Sequence, residues 1–229
     1  CISIFAFHSA ISAKGNESYG VFSFFALPLK KSWTKAHGKF IYTNTQKFSR
    51  NKMSEFVNKN KQSENEQSYR YFMNTKLFDH VNVDKANTHV PNGSAEDAAA
   101  EAARYESFVR SLGGADIQIL GIGRNGHIAF NEPAEALYPA THVTGLTEDT
   151  IDANARFFAS ADEVPTKALT MGMGTILSAK KIIILANGKG KHEAVSAMLS
   201  AMVTTSCPAS FLNLHADVTL ICDREAYEG

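Results

Sequence analysis

Cysteine is scarce in this 229-residue chain, and aspartate is missing from it before Asp79. Three cysteines without a C-x-x-C pair are too few for a disulfide framework, which favours a reducing compartment, the cytoplasm. No apolar run approaches the roughly 20 residues that a membrane-spanning helix requires, so no membrane partner is expected. The composition therefore excludes a disulfide-rich secreted domain and argues against a membrane protein.

The chain also lacks an excess of either charge, with 23 Lys and Arg against 23 Asp and Glu. This balance argues against a strongly basic nucleic-acid binder, so no nucleic-acid partner is expected. It conceals an asymmetry, because residues 1–66 hold ten basic and four acidic residues while the remainder holds 13 and 19. The length suits one domain over 1–229, but residues 1–66 differ in character from the rest.

Hydrophobic periodicity predicts alternating strands and helices after residue 67. Predicted helices cover residues 68–78, 94–112, 166–180 and 191–203, and predicted buried strands cover 116–123, 181–186 and 217–222. Two weaker strand patterns lie at 21–27 and 40–43. The helical faces expected to be buried are Ala98, Ala102, Tyr105, Val109 and Leu112, and then Ala194, Val195, Met198, Leu199 and Met202. This alternation predicts an α/β fold with a parallel sheet covered on both faces.

One segment, LGIGRNGHIAFNEP at residues 120–133, follows directly after a predicted strand. Its glycines spell G-x-G-x-x-G, but a dinucleotide site would need a helix after them, and Pro133 and Pro139 interrupt one. We therefore expect Gly123 and Gly126 to form a tight turn that brings backbone N–H groups close to a polar or anionic ligand.

His127 and Glu132 lie five positions apart in this segment, with Asn125 beside them. A histidine paired with a carboxylate can transfer protons near neutral pH. The alternative is a histidine satisfied by the backbone of a buried loop. The crowding of polar side chains at a strand end favours a ligand site, since their desolvation is otherwise costly.

Two cations further along the chain, Arg156 and Lys191, are candidates for binding an anion. Lys191 follows a strand and two glycines at the start of a predicted helix, an arrangement that suits an anion. For either residue alone, an exposed surface charge is the simpler interpretation. No Cys/His cluster has the spacing of metal ligands, so no metal is expected.

Residues 121–133 resemble the signature of the glucosamine-6-phosphate deaminase family, especially its short bacterial form. Further similar segments follow in order, namely SYRYFM at 68–73, ANARFF at 153–158 and KALTMGMGTIL at 167–177. The resemblance extends from about Ser68 to the end of the chain. It implies a Rossmann-like three-layer αβα fold with a mainly parallel sheet, no redox cofactor or catalytic metal, and a small sugar phosphate as partner. Either a monomer or a homo-oligomer is compatible with it.

The resemblance implies conversion of glucosamine 6-phosphate and water to fructose 6-phosphate and ammonia. It makes His127 the acid and base of ring opening, held by Glu132, and it makes Asn125 a residue that orients His127 by hydrogen bonding. Arg156 and Lys191 match positions that bind the sugar phosphate. Gly123 and Gly126 belong to the same substrate-binding turn.

The N-terminal segment departs from the family pattern. The family's base for the C2 proton is an Asp, whereas NKMSEFV at residues 51–57 places Ser54 there and Glu55 beside it. The family's phosphate loop also has no clear counterpart. Three explanations are open: divergence to weak or lost catalysis with retained binding, an altered sequence such as a frameshift over 1–66, or proton abstraction by Glu55. The abrupt change near residue 66 favours the second.

Two other functions fit the same sequence features. A 6-phosphogluconolactonase shares the fold and a similar glycine–histidine turn, but that turn is usually followed by a Leu-Phe-Pro-Gly-like segment. Here FNEP follows at residues 130–133, which makes Glu132 the discriminating residue. A non-catalytic sugar-phosphate-binding protein on the same fold is the other alternative, and the missing Asp is the feature that favours it.

Overall fold

The computed structural model describes backbone strands at residues 2–4, 40–41 and 47–48, and residues 68–146, 166–200 and 202–229 throughout. The strands are β1 Ile2–Ile4, β2 Phe40–Ile41, β3 Lys47–Phe48, β4 Thr88–His89, β5 Ile117–Gly121, β6 His142–Gly145, β7 Lys167–Thr170, β8 Lys181–Ala186 and β9 Val218–Cys222. The α-helices are α1 Tyr69–Met73, α2 Ala98–Ser111, α3 Met173–Leu177, α4 His192–Leu199 and α5 Arg224–Glu228. A π-helical turn, Asn74–Phe78, continues α1.

Six strands form one parallel sheet in the order β4-β2-β1-β5-β8-β9. Counted along the chain, these strands have the spatial order 3-2-1-4-5-6 of a doubly wound α/β fold. The order reverses between β1 and β5, which is where such folds bind ligands. The predicted Rossmann-like fold with a mainly parallel sheet is confirmed, and the prediction of a strand at 40–43 is confirmed for its first two residues. The prediction at 21–27 lies outside the described residues.

The core forms where the central strands meet the helices. Leu120 on β5 and its register partner Ile184 on β8 are fully buried, and Tyr105 and Val109 of α2 belong to the same apolar cluster. The predicted apolar face of α2 is therefore confirmed for these residues. This packing holds β5 and β8 side by side. Because the two strands are parallel, the loops that follow them start at the same edge of the sheet.

Helix α2 begins later than predicted. The sequence pattern predicts a start at Ser94, but the backbone N–H of Ser94 donates to Asn92 Oδ1 in a local turn. The carboxylate of Asp97 instead accepts hydrogen bonds from the N–H groups of Ala99 and Ala100, which makes Asp97 the N-cap. The helix ends before Gly113 and Gly114 as predicted, with both glycines at positive φ.

The predicted helix over residues 166–180 is confirmed only for Met173–Leu177. Its first part is β7, which pairs antiparallel with β6 and with β3 in a second, three-stranded sheet. Only the short helix α3 follows, after Gly172. A β-carbon on Gly172 would lie 2.3 Å from the carbonyl oxygen of Ala140, so the backbone there packs directly on the preceding segment. Pairing with β6 decides the strand, since helix propensity is a weak preference that tertiary contacts override.

Helix α4 is shorter than the predicted helix over 191–203. The side-chain amide of Asn213 donates to the carbonyl oxygens of Met198 and Ser200 and satisfies the end of the helix there. Ala194, Val195 and Met198 are buried as predicted, but Leu199 and Met202 are 51% and 70% exposed, so their predicted burial is wrong. Among the described residues, no helix combines the length and apolar character needed to cross a bilayer.

Candidate active site

The turn of residues 122–132 leaves the carboxyl end of β5, beside the point where the strand order reverses. No helix occurs between Gly126 and residue 146, so the G-x-G-x-x-G glycines do not present a helix N-terminus to a pyrophosphate. The turn instead folds back on itself, since the N–H of Gly123 donates to the carbonyl oxygen of His127 at 2.8 Å. The turn is therefore a compact loop at the ligand-binding edge.

The two glycines form the tight turn that the sequence predicts, but their own N–H groups bond inside it. The N–H of Gly126 donates to the carbonyl oxygen of Gly123, so both glycine amides bond within the turn and do not face a ligand. A β-carbon on Gly123 would lie 2.5 Å from the His127 ring, and one on Gly126 would lie 2.6 Å from Cys207 Sγ. Gly126 also has a φ of +81°. The glycines therefore make room for the imidazole and for Cys207.

His127 and Glu132 form a direct pair, with 2.9 Å between His127 Nδ1 and Glu132 Oε1. The two side chains are 17% and 14% exposed, so solvent screens this contact weakly. Asn125 completes the cluster: its amide nitrogen donates to Glu132 Oε2 at 2.7 Å, and its Oδ1 accepts from the backbone N–H of His127. Asn125 therefore orients the carboxylate and the backbone of the turn.

The pKa of the Glu132 carboxyl lies below its ordinary value. Burial alone would raise this pKa, but hydrogen bonding from His127, the charge of His127 and the hydrogen bond from Asn125 together outweigh burial. The carboxylate is therefore ionised near neutral pH and acts as an acceptor. An ionised acceptor at Nδ1 places the imidazole proton on Nδ1, which leaves the lone pair of a neutral ring on Nε2.

The end of the turn is anchored to the second sheet. The side-chain amide of Asn131, which is 3% exposed, donates to the carbonyl oxygens of Ile128 and Met171. The N–H of Phe130 donates to Thr170 Oγ1 at the end of β7. These bonds tie the residues directly before Glu132 to the end of β7, whereas the bond from Gly123 N–H to the carbonyl oxygen of His127 links the histidine to the end of β5. The pair is thus held between two sheets.

Lys191 lies at the same sheet edge, because its loop follows β8, the neighbour of β5. It is half-buried and immediately precedes α4, as predicted. Burial, with a smaller contribution from the positive charge of Arg124, lowers the pKa of Lys191 to about 8. The loop that carries Lys191 is fixed by Asp223, because both of its carboxylate oxygens accept from the N–H of Gly188.

Arg124 is a residue that the sequence pattern did not single out. It is exposed at the tip of the turn, and its guanidinium lies beside Gly190. Its position inside the glycine-rich turn was a usable signal, but its proximity to Lys191 depends on strand order. Arg156, Ser54 and Glu55 lie outside the described residues. Within the described part of the chain, no group of three or more His, Cys, Asp or Glu is arranged to hold a metal ion.

The fold and this cluster define an α/β protein with a histidine–carboxylate site at the carboxyl edge of a doubly wound sheet. Residues 56–221 match the family model of glucosamine-6-phosphate isomerases and 6-phosphogluconolactonases. The chain therefore belongs to this family.

The relatives with high sequence identity are glucosamine-6-phosphate deaminases. A glucosamine-6-phosphate deaminase of Clostridium perfringens (strain 13 / Type A) is 57% identical over 163 residues, covering 71% of this chain and 67% of the relative. One of Clostridium beijerinckii is 59% identical over 162 residues, with the same coverage. The solved structure of a monomeric glucosamine-6-phosphate deaminase is 45% identical with a TM-score of 0.72, and the match covers 82% of this chain and 73% of that one.

A solved 6-phosphogluconolactonase from Thermotoga maritima also has the fold. It matches with a TM-score of 0.60 over 84% of this chain and 75% of its own, at 17% identity. At that identity, the likeness supports the shared architecture alone. The family match thus sets the fold, and the much higher identities belong to the deaminases.

Proposed function

We propose that this protein is a glucosamine-6-phosphate deaminase that converts glucosamine 6-phosphate and water to fructose 6-phosphate and ammonia. The observation that carries the proposal is the contact of Glu132 with His127 Nδ1 at 2.9 Å. Glu132 is the residue by which the turn differs from a lactonase turn, and the deaminase relatives at 57% and 59% identity support the same choice. The reaction is a hydrolytic deamination coupled to an aldose–ketose isomerisation.

The first chemical step assigned to the site is opening of the pyranose ring. His127 accepts the proton of the C1 hydroxyl at Nε2 and returns a proton to the ring oxygen, which yields the open-chain aldehyde. Glu132 stabilises the imidazolium that forms between these two transfers, because its carboxylate is ionised and in contact with Nδ1. Asn125 keeps that carboxylate in place through its 2.7 Å hydrogen bond.

Isomerisation and loss of ammonia follow ring opening. The aldehyde acidifies the C2 proton, a base removes it, and the enol-type intermediate is protonated at C1. Water then adds at the resulting C2 imine, and ammonia leaves as the ketone forms. We assign the base to the segment around Ser54 and Glu55, with Glu55 as the available carboxylate.

The phosphate group gives the substrate its second point of attachment. We assign its binding to Arg156 and to Lys191, and Lys191 supplies positive charge at the edge where β5 and β8 end. The turn that contains Gly123 and Gly126 holds His127 at the same edge. We further propose one domain over 1–229, a cytoplasmic location, and a monomeric or homo-oligomeric state, to be checked by size-exclusion chromatography with light scattering.

A paired assay tests the function. The purified chain is incubated with glucosamine 6-phosphate, and ammonia and fructose 6-phosphate are measured by separate coupled enzymes; in parallel it is given 6-phosphogluconolactone. We expect equal amounts of ammonia and fructose 6-phosphate, with no acceleration of lactone hydrolysis. Lactone hydrolysis without ammonia would identify a lactonase. Thermal stabilisation by glucosamine 6-phosphate without any product would identify a binding protein.

A further inference from the structure

Two loops of the candidate site leave the sheet side by side. Strands β5 and β8 are parallel neighbours, and the last residue of β5, Gly121, is in register with Leu185 near the end of β8. Arg124 lies just beyond the first strand and Lys191 just beyond the second. Two cations distant in sequence are thus brought to one edge of the sheet, next to the turn that holds His127.

The guanidinium of Arg124 lies across the loop that carries Lys191. A β-carbon on Gly190 would be 3.3 Å from Arg124 Nε, 3.5 Å from Nη2 and 3.6 Å from Cζ. Because Gly190 has no side chain, the guanidinium of Arg124 can approach the backbone directly before Lys191. This contact sets the position of Arg124 relative to the lysine.

The positive charges of Arg124 and Lys191 act on each other, and a bound anion would be attracted to both. Lys191 is half-buried, and the positive charge of Arg124 adds to burial in lowering its pKa. Like charges at close range destabilise each other unless a counter-charge is near. A planar guanidinium and an ammonium at the same edge of the sheet are also well suited to the several oxygens of a phosphate, since arginine binds two of them at once.

We propose that Arg124 is a second cationic contact for the phosphate group of the substrate, acting together with Lys191. The choice of a phosphate ester rests on the proposed function, whereas the pairing of the two cations rests on the geometry. Arg124 thereby determines specificity for phosphorylated over unphosphorylated amino sugar. It has no part in proton transfer.

Direct binding of inorganic phosphate and of glucosamine 6-phosphate, measured by calorimetry, tests this role. Arg124→Gln should weaken both by about tenfold, the effect of losing one hydrogen bond to a charged group. The same variant should raise KM about tenfold and leave kcat within about twofold. Arg124→Lys keeps the charge but loses the planar fork, so it should recover part of the binding.

Lys189→Gln is the matched control, because Lys189 is an exposed cation two residues from Lys191. Its phosphate affinity should stay within about twofold of the parent, since general electrostatics at an exposed site is weak. Unchanged phosphate binding by Arg124→Gln, or an equal loss in Lys189→Gln, would overturn the proposal. If Arg124→Gln weakens phosphate binding in a protein that releases no ammonia, the inference stands and the proposed function fails.

Discussion

The imidazole of His127 is held at Nδ1 by a carboxylate, and this contact decides how the ring can react. With Nδ1 in contact with the Glu132 carboxylate at 2.9 Å, proton exchange with a substrate belongs to Nε2. The tilt of the carboxylate depends in turn on the amide of Asn125. At the scale of single residues, three groups therefore act as one unit.

Replacement of His127 by Gln should lower kcat by about 100- to 10,000-fold with little change in KM, because general acid–base catalysis contributes that much and glutamine transfers no proton. Steady-state kinetics with glucosamine 6-phosphate measures both constants. His80→Gln is the control, since His80 is an exposed histidine after the π-helical turn. An unchanged kcat in His127→Gln would remove this residue from the mechanism.

Asn125→Asp should move the acidic limb of the kcat/KM profile to higher pH. The amide of Asn125 now donates to Glu132 Oε2 at 2.7 Å, and the carboxyl of an aspartate would take its place. Two carboxylates at such a short distance cannot both be ionised. The pKa of the pair therefore rises, and the ionised form needed beside His127 is lost sooner on acidification. Asn125→Ala, which removes the donor without adding charge, should shift the limb less; equal shifts would argue against repulsion as the cause.

Because Lys191 is half-buried and has a lowered pKa, we expect substrate binding to weaken at alkaline pH. Its pKa of about 8 means that the ammonium form predominates below that pH and is lost above it, while the phosphate ester is a dianion throughout. KM should therefore rise above pH 8, by up to about tenfold per pH unit, with kcat changing less. In Arg124→Gln this rise should begin at higher pH, because a neighbouring positive charge is removed; an unmoved limb would contradict the coupling.

At the scale of secondary structure, the reactive turn depends on contacts from three directions. Its start continues β5, its end is bonded to β7 through Phe130, and the carbonyl oxygen of Gly126 accepts from the N–H of Ala209. The last two partners are distant in sequence. The first part of the predicted helix over residues 166–180 is wrong for the same reason, because the pairing of β7 with β6 decides its conformation.

Gly126→Ala should lower the free energy of unfolding by about 2 to 5 kcal/mol, combining a left-handed backbone with overpacking. Its φ is +81°, and the new methyl group would meet Cys207 Sγ at 2.6 Å. Gly113→Ala is a matched control, since Gly113 has a φ of +79° and nothing within 4 Å of a built β-carbon. Chemical denaturation should give a smaller loss there, about 1 to 2 kcal/mol. Equal losses would show that the Cys207 contact is unimportant.

At the scale of the whole molecule, strand order determines what can meet at the site. Strand β1, from the segment with little resemblance to the family, lies next to β5 in the sheet, and β2 lies next to β1. Ile4, the last residue of β1, is in register with Ile119 of β5, so β1 ends close to the start of the turn that holds His127. In a doubly wound fold both sides of the crevice between β1 and β5 contribute to the ligand site, which supports our proposal that the N-terminal segment supplies the C2 base.

The rate of product formation in deuterated water, compared between variants of two glutamates, tests which carboxylate removes the C2 proton. If Glu55 is the base, Glu55→Gln should abolish product formation, while Glu64→Gln, a change of the same kind nearby in sequence, should keep it. Peptide sequencing of the purified protein by mass spectrometry is run alongside. An active Glu55→Gln variant would exclude Glu55, and failure to recover the peptides of residues 1–66 would support an altered sequence there.

The sequence by itself determined the features that depend on neighbours along the chain. These are the alternation of strands and helices, the glycine end of α2, and a turn in which His127, Glu132 and Asn125 are only a few residues apart. The tertiary structure alone decided the rest. The approach of Arg124 to Lys191, the space that Gly126 leaves for Cys207 and the strand at residues 167–170 all join residues distant in sequence. Such contacts follow from strand order and register, which local propensity does not encode.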